Sequence, residues 1–129
     1  MQESFYSEKI MWYLLNLPNS GAIPEDKIDN KTVFSDEVGG LDKGLVVKLF
    51  LEIESKSDKI KKISYLVYGD GYIIAALGKL SEDLAGQKIK QALGYSMASL
   101  SKELDIPPAK VNNLKLIKNC LDKLISKIP

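Results

Sequence analysis

Few side chains in this sequence could carry chemistry. The chain has one cysteine, Cys120, and no histidine. It therefore lacks the side chain best suited to acid–base catalysis near neutral pH, which is also the commonest metal ligand. Asp70 stands between two glycines, where it could be a hard metal ligand, a catalytic carboxylate or a turn residue that caps the next helix. The sequence favours the cap, because it indicates no histidine, cysteine or second carboxylate beside Asp70.

Cys120 is the only thiol that could accept sulfur. A sulfur acceptor needs an accessible thiolate with a lowered pKa. Cys120 lies three residues after Ile117 and four before Leu124, so it falls on the apolar stripe of a helix. Free cysteine is among the most buried residue types. The position therefore favours a structural cysteine over a reactive one.

Composition excludes several classes of function. All 18 basic residues are lysine and the net charge is +1, so the chain lacks the arginine fork and the strong field typical of nucleic-acid binding. No apolar run is long enough for a membrane span. The first residues lack the basic region of a secretory signal. One cysteine rules out an intrachain disulfide framework, and we expect a cytoplasmic protein without nucleic-acid or membrane partners.

Hydrophobic periodicity predicts a helix, three strands and then several helices. The first helix covers residues 7–17, with Ser7 as its cap, and its Trp12 and Tyr13 are expected to be half-buried in the core. The strands are predicted at 32–38, 45–54 and 60–68, with Gly39-Gly40 as a break after the first. Short links between the strands favour an antiparallel meander.

The second half of the chain changes to helical periodicity after Gly69-Asp70-Gly71. Helices are predicted from about residue 73 to 84, 88 to 93, 96 to 104 and from Asn112 or Asn113 to about 127, with the asparagines as the N-cap of the last. Ile106-Pro107-Pro108 is expected to be extended. The fold class is α+β, with helices on one face of a small three-stranded antiparallel sheet, and residues 1–129 form one domain.

Three local patterns stand out in the sequence. The first is Tyr6-Ser7-Glu8-Lys9-Ile10 followed by Leu17-Pro18-Asn19-Ser20-Gly21, the second is Tyr68-Gly69-Asp70-Gly71, and the third is Ile106-Pro107-Pro108-Ala109-Lys110-Val111. In this order they resemble the NifU N-terminal and IscU family of iron–sulfur cluster scaffolds. The resemblance implies the fold shared by IscU and SufE. It also implies a role in iron–sulfur cluster assembly rather than an enzymatic one.

The same resemblance exposes a loss at the ligand positions. The family holds its cluster with three cysteines, beside which stand a histidine and an aspartate, because soft thiolates suit iron–sulfur clusters. The matching positions here read Lys43 where the first cysteine falls, Asp70 at the second and Asn112-Asn113 at the histidine–cysteine pair. These are degenerate ligand positions, so we predict no bound cofactor. An ion pair between Lys43 and Asp70 could fill the vacated site.

The resemblance also implies partners. In the family the segment that matches Ile106–Lys110 docks an Hsp70-type chaperone, and the N-terminal region contributes to binding a cysteine desulfurase. Ile106, Pro107, Pro108, Ala109 and Lys110 are therefore candidate partner-binding residues. A rigid connector that orients the last helix is an equally open interpretation, and Asn112 and Asn113 could instead bind a ligand through their amides.

Four hypotheses remain open from the sequence. The chain could be a degenerate, non-cluster-holding binding or regulatory module for a desulfurase or chaperone, which is the preferred one. It could bind iron or a cluster through unconventional ligands such as Asp70 and Cys120. It could be a SufE-like sulfur acceptor that works through Cys120, or a fold reused for an unrelated interaction.

Overall fold

A three-stranded antiparallel sheet forms the centre of the computed structural model, which describes residues 6–129. The strands are β1 (Val33–Gly40), β2 (Leu45–Ile53) and β3 (Ile60–Tyr68), and β2 lies in the middle. Along β2 the alternate residues Val47, Leu49 and Leu51 are fully buried on one face of the sheet. Strand β3 presents Ile63 and Tyr65 to the same face, directly across from Leu51 and Leu49.

Five α-helices accompany the sheet in the described part of the chain. They are α1 (Glu8–Asn16), α2 (Gly71–Leu84), α3 (Ile89–Leu93), α4 (Met97–Leu104) and α5 (Val111–Ser126). Helix α5 packs against β1 and β2, α2 packs against β3, and α1 packs on α2. The buried apolar residues of these helices and of the inner sheet face make one core cluster. The predicted α+β class, with helices on a small antiparallel sheet, is confirmed.

The prediction that Gly39-Gly40 breaks the first strand is wrong. Both glycines belong to β1 and pair with Val46 and Leu45 of β2. Gly39 has a φ of +94°, and a Cβ there would lie 2.1 Å from the backbone oxygen of Leu45. Glycine is therefore required for the close approach of the two strands, where sequence reasoning took it for a terminator.

Helix α1 begins as predicted, because the Ser7 side chain accepts a hydrogen bond from the Ile10 amide at 3.2 Å. Ile10 is fully buried and Tyr13 packs against the core. Trp12 is 48% exposed, so it is half-buried as predicted, but the expectation that it packs in the core is wrong, because it lies on the outer side of α1. The outer side of α1 is thus available to solvent in the part of the chain described.

Candidate functional site

The predicted ligand positions Lys43, Asp70 and Asn112-Asn113 come from segments that lie towards one end of the sheet. Lys43 lies in a short 3-10 turn, Leu41–Lys43, between β1 and β2. The strand register pairs Val46 with Tyr68, so this turn and the β3–α2 turn that carries Asp70 emerge at the same edge. Side chains confirm the proximity, since a Cβ on Gly69 would lie 3.2 Å from the side chain of Leu45.

Asp70 is the central residue of this site and uses both of its carboxylate oxygens. Oδ1 accepts a hydrogen bond from the Ile73 amide at 3.1 Å, which makes Asp70 the N-cap of α2, as predicted. Oδ2 lies 3.0 Å from the Nζ of Lys110. The carboxylate is therefore already satisfied by the chain's own groups, and it is drawn to two different elements, α2 and the segment before α5.

Asp70 forms an ion pair, but its partner is Lys110 and not the predicted Lys43. Among the ion pairs of the described residues, Asp70 is joined to Lys110. A 3-10 turn, Pro108–Lys110, leads into α5 and brings Lys110 to the N-terminus of α2. The partner could not be identified from the sequence because it comes from a turn 40 residues further along the chain.

Two tyrosines complete the surroundings of the ion pair. The Nζ of Lys110 lies 5.9 Å from the centre of the Tyr72 ring, within the range of a cation–π contact. Tyr6 packs edge-to-face on Tyr72 at 4.9 Å, and its hydroxyl accepts a hydrogen bond from the Gly71 amide at 3.3 Å. A Cβ on Gly71 would lie 2.7 Å from the Tyr6 ring, so glycine allows this close approach.

The electrostatics of the cluster favour a charged lysine. The hydrogen bond from Lys110 to Asp70 and the charge of that carboxylate raise the pKa of Lys110, against a smaller opposing effect of burial. The ammonium group therefore stays protonated at neutral pH. Sequence reasoning missed Tyr6 and Tyr72 as members of this cluster, although Tyr6 opens the first recognised motif and Tyr72 directly follows Gly69-Asp70-Gly71.

Asn112 and Asn113 do not cap the last helix, which corrects a prediction. Helix α5 begins at Val111, and the cap position is Lys110, which makes no side-chain capping hydrogen bond. The 3-10 turn before α5 fixes the backbone at the start of the helix in place of a side-chain cap, because the Lys110 amide donates a hydrogen bond to the Pro107 carbonyl at 2.9 Å. The two asparagines therefore lie in the first turn of α5, one turn away from the Asp70–Lys110 pair.

The candidate partner-binding segment is only partly extended. Pro107 has extended backbone, with φ −65° and ψ 149°, but Pro108 opens the 3-10 turn, so the prediction of an extended Pro108 is wrong. Ile106 is buried in the core, whereas Pro108 and Ala109 are exposed. The segment is thus anchored at both ends, by Ile106 in the core and by Lys110 on Asp70.

Cys120 is buried, as its position on the apolar stripe predicts. Its Sγ donates a hydrogen bond to the Asp36 carbonyl at 3.4 Å across the α5–β1 contact. Burial raises the pKa of the thiol to about 12, and the nearby Asp36 charge adds to the effect. A neutral, enclosed thiol is neither a good metal ligand nor a good nucleophile.

The donor set at this end of the sheet does not fit an iron–sulfur cluster. The side chains at this end of the sheet are lysine, asparagine and aspartate, whereas an iron–sulfur cluster takes thiolates, and the carboxylate of Asp70 is engaged by the Ile73 amide and by Lys110. Among residues 6–129 no group of three or more histidine, cysteine, aspartate or glutamate side chains is arranged to hold a metal ion. In the same range no helix is long and apolar enough to cross a membrane.

The family model for the NifU-like N-terminal domain matches residues 5–129. This chain belongs to that family. The scaffold protein IscU of Buchnera aphidicola (subspecies Acyrthosiphon pisum) is 29% identical over 121 residues, which cover 94% of this chain and 92% of that protein. The mitochondrial iron–sulfur cluster assembly protein 1 of Debaryomyces hansenii is 26% identical over 93% of this chain, and this chain spans 65% of its length.

Two solved structures share the fold of this chain. A crystal structure of a protein of undescribed function superposes with a TM-score of 0.67 at 15% identity, covering 92% of this chain and 94% of the other. A candidate iron–sulfur cluster assembly scaffold of the SUF system from Fervidobacterium islandicum superposes with a TM-score of 0.58 at 17% identity, covering 93% and 96%. These likenesses show the fold.

Proposed function

We propose that this protein works in iron–sulfur cluster assembly as a binding or regulatory module that holds no cluster of its own. It is not an enzyme in this proposal, its location is the cytoplasm, and it forms one domain. Membership of the scaffold family supports the pathway. The finer role rests on the site and on the resemblance of individual segments.

One observation carries the proposal: the family's second ligand position holds Asp70, whose two oxygens are bound by the Ile73 amide and by Lys110. A cysteine there would supply a thiolate ligand to a cluster, whereas the Asp70 carboxylate is bound by groups of this chain. The ammonium group of Lys110 pairs with the carboxylate at the position where the family binds the cluster. Cluster binding would have to break this contact and still find soft ligands at Lys43 and Asn113.

The proposed partners are a cysteine desulfurase, an Hsp70-type chaperone, or both. Support for the chaperone is the segment Ile106–Lys110, whose Pro108 and Ala109 are exposed. An extended peptide segment can be recognised through main-chain hydrogen bonds and through pockets for its alternate side chains. Because Ile106 is buried and Lys110 is held by Asp70, docking in an extended form requires this segment to leave the core locally.

Two alternatives lose support from the geometry. A SufE-like sulfur acceptor through Cys120 would need an accessible thiolate, and this thiol is buried with a raised pKa. Iron or cluster binding through Asp70 and Cys120 would need both side chains at one site. Cys120 is seven residues from Asn113 along α5, about 10 Å of helix, and its Sγ is directed to β1.

The proposal is tested by titrating the full chain with a purified cysteine desulfurase and, separately, with an Hsp70-type chaperone, using calorimetry. Lys110→Ala should change chaperone binding, because it alters the candidate segment and frees it from Asp70. Lys115→Ala, an exposed lysine further along α5, is the matched control and should leave binding unchanged. Binding of neither protein by the unmodified chain would overturn the partner proposal.

A further inference from the structure

The end of the sheet that lies away from Asp70 carries an excess of positive charge. Residues 52–62 and 86–90 hold six lysines and three acids, a net charge of +3, whereas the whole chain has a net charge of +1. Four exposed lysines form the lysine patch: Lys59, Lys61, Lys62 and Lys88. In the described part of the chain none of the four makes an ion pair, although five other lysines do.

A β-bulge places two of these lysines side by side. The register of β2 with β3 shifts here, and Lys61 is the extra residue of β3. Ile60 and Ile63 are both buried, and the two lysines between them are exposed. Lys61 and Lys62 therefore both point to the side of the sheet away from the helices. Glu52 of β2 is opposite Lys62 in the register.

The other two lysines stand opposite one another across a short bridge. Lys59, just before β3, pairs antiparallel with Lys88, just before α3. Directly opposite residues of such a pair have Cβ atoms about 5 Å apart, and like charges there are destabilising. The chain keeps this unfavourable pair although both positions are exposed. A local conflict of this kind is expected at functional sites, where stability is given up for another purpose.

Protection of a sheet edge does not explain the lysine patch. Lysines often keep an exposed edge strand from pairing with another chain. The edge of β3 beside Lys59 is already paired, because the Ile60 amide donates to the Gln87 carbonyl at 2.8 Å and the Ile89 amide donates to the Asp58 carbonyl at 2.7 Å. The charges at this place therefore have no free edge to protect.

The layout of the patch favours carboxylates on an extended chain. Arginine is the residue of choice for phosphate and nucleic-acid recognition, and all 18 basic residues of this chain are lysine. Alternate side chains of an extended segment repeat about every 7 Å, which is also about the step from Lys59 to Lys61 along the strand. Lys88 widens the patch by about 5 Å across the bridge. Acidic residues at alternate positions of a short extended segment match this spacing.

We propose that the lysine patch binds an acidic, extended segment of a partner protein. The carboxylates of that segment lie against the ammonium groups and relieve the repulsion between Lys59 and Lys88. Because exposed charges act mainly on the rate of association and are screened by salt, the encounter is fast and salt-sensitive. The patch lies at the start of β3, whereas Asp70 follows its end, so the inference goes beyond the function proposed above and does not depend on it.

The test is fluorescence anisotropy of a labelled synthetic peptide with glutamate at every second position, titrated with the full chain at low ionic strength. A peptide with glutamine in place of glutamate measures uncharged binding. The patch variant is Lys59→Gln with Lys88→Gln. The control variant, Lys102→Gln with Lys115→Gln, removes the same charge from exposed positions of α4 and α5. We expect the patch variant to weaken binding of the acidic peptide about tenfold and the control variant by no more than about twofold.

Stability separates a binding role from a structural one. Lys88→Glu places opposite charges across the bridge, so it should raise the urea midpoint of unfolding while it weakens binding of the acidic peptide about tenfold or more. A lowered midpoint would overturn the proposal, because it would make the lysine a structural residue. So would equal losses of binding in the patch and control variants, or no binding of the acidic peptide at low ionic strength. Tighter binding to anionic lipid vesicles or to single-stranded DNA than to the peptide would assign the patch to another class of partner and would also overturn it.

Discussion

Cys120 offers a sharp test of whether sulfur chemistry belongs to this chain. Its side chain is fully buried in the core, and the pKa of the thiol is raised from 9.0 to about 12. At pH 8 this shift alone lowers the thiolate fraction about a thousandfold. The thiolate is the species that reacts with disulfide reagents, so the native protein should react far more slowly than an exposed thiol.

Access to the thiol adds a second factor. A reagent can reach Cys120 only when α5 leaves β1, which removes part of the core. If that opening costs about 5 kcal/mol, the lower end of ordinary domain stability, about one molecule in several thousand is open at any time. Modification should then follow unfolding, and its rate should rise with urea along the global unfolding transition.

The assay is the reaction of Cys120 with an aromatic disulfide reagent at pH 8, followed by absorbance at increasing urea. The matched control is Leu41→Cys in a Cys120→Ser background, because Leu41 is 73% exposed in the turn after β1. We expect the control to react at least about a thousandfold faster. A native Cys120 that reacts within about tenfold of the control would refute the reasoning and restore the sulfur-acceptor hypothesis.

Three further predictions follow from the fold and the site. Asp70→Ala should lower the free energy of unfolding by about 1 kcal/mol and Asp70→Ser by less, because serine keeps a capping oxygen; equal losses in urea denaturation would contradict the capping role. Gly39→Ala should lower the free energy of unfolding by about 2 kcal/mol or more, because its Cβ would meet a backbone oxygen of β2. Gly44→Ala should lower it by only about 1 kcal/mol, because Gly44 has a φ of +71° but lies in open space. A larger loss for Gly44→Ala than for Gly39→Ala in chemical denaturation would refute this. Burial raises the pKa of both Cys120 and Tyr65 to about 12. The folded state therefore keeps protons that the unfolded chain loses above about pH 9, so the free energy of unfolding should fall between pH 9 and 12. Cys120→Ser should make that fall shallower, and an unchanged slope would contradict the raised pKa of Cys120.

The sheet and the buried stripe of α5 could be predicted because local periodicity fixed them. Val47, Leu49 and Leu51 repeat every second residue along β2, and this pattern predicted the face that forms the core. The burial of Phe50 on the opposite face was not predicted by the alternation. Cys120 shares the helical repeat of Ile117 and Leu124, so its burial followed from spacing alone. In both cases neighbours in the sequence carry the information, and the structure confirms it.

The departures arise where contacts distant in the sequence decide the outcome. Gly39 looks like a strand terminator, yet the approach of Leu45 makes it a paired residue of β1. The ion pair of Asp70 depends on where the 3-10 turn places Lys110, which no local pattern states. Trp12 belongs to a helix that is apolar on two sides, so periodicity could not tell which side would be buried.

The assignment of the degenerate ligand positions needed the family resemblance as well as the residues. Lys43 and Asp70 lie at one end of the sheet, and Asn113 follows one turn after Lys110 in α5. Their meeting is what a common ligand site requires. The sequence could not supply the contact between Asp70 and Lys110, which lies beside the Tyr72 ring.

The most direct test of the central claim is anaerobic reconstitution of the full chain with ferrous iron and sulfide. Iron, sulfide and visible absorption are measured after desalting, with a cysteine-bearing scaffold of the same family treated in parallel. The account predicts a folded, colourless protein without bound iron, while the parallel scaffold develops charge-transfer bands. Stoichiometric iron and sulfide on this chain, with visible charge-transfer absorption, would contradict the claim that it holds no cluster.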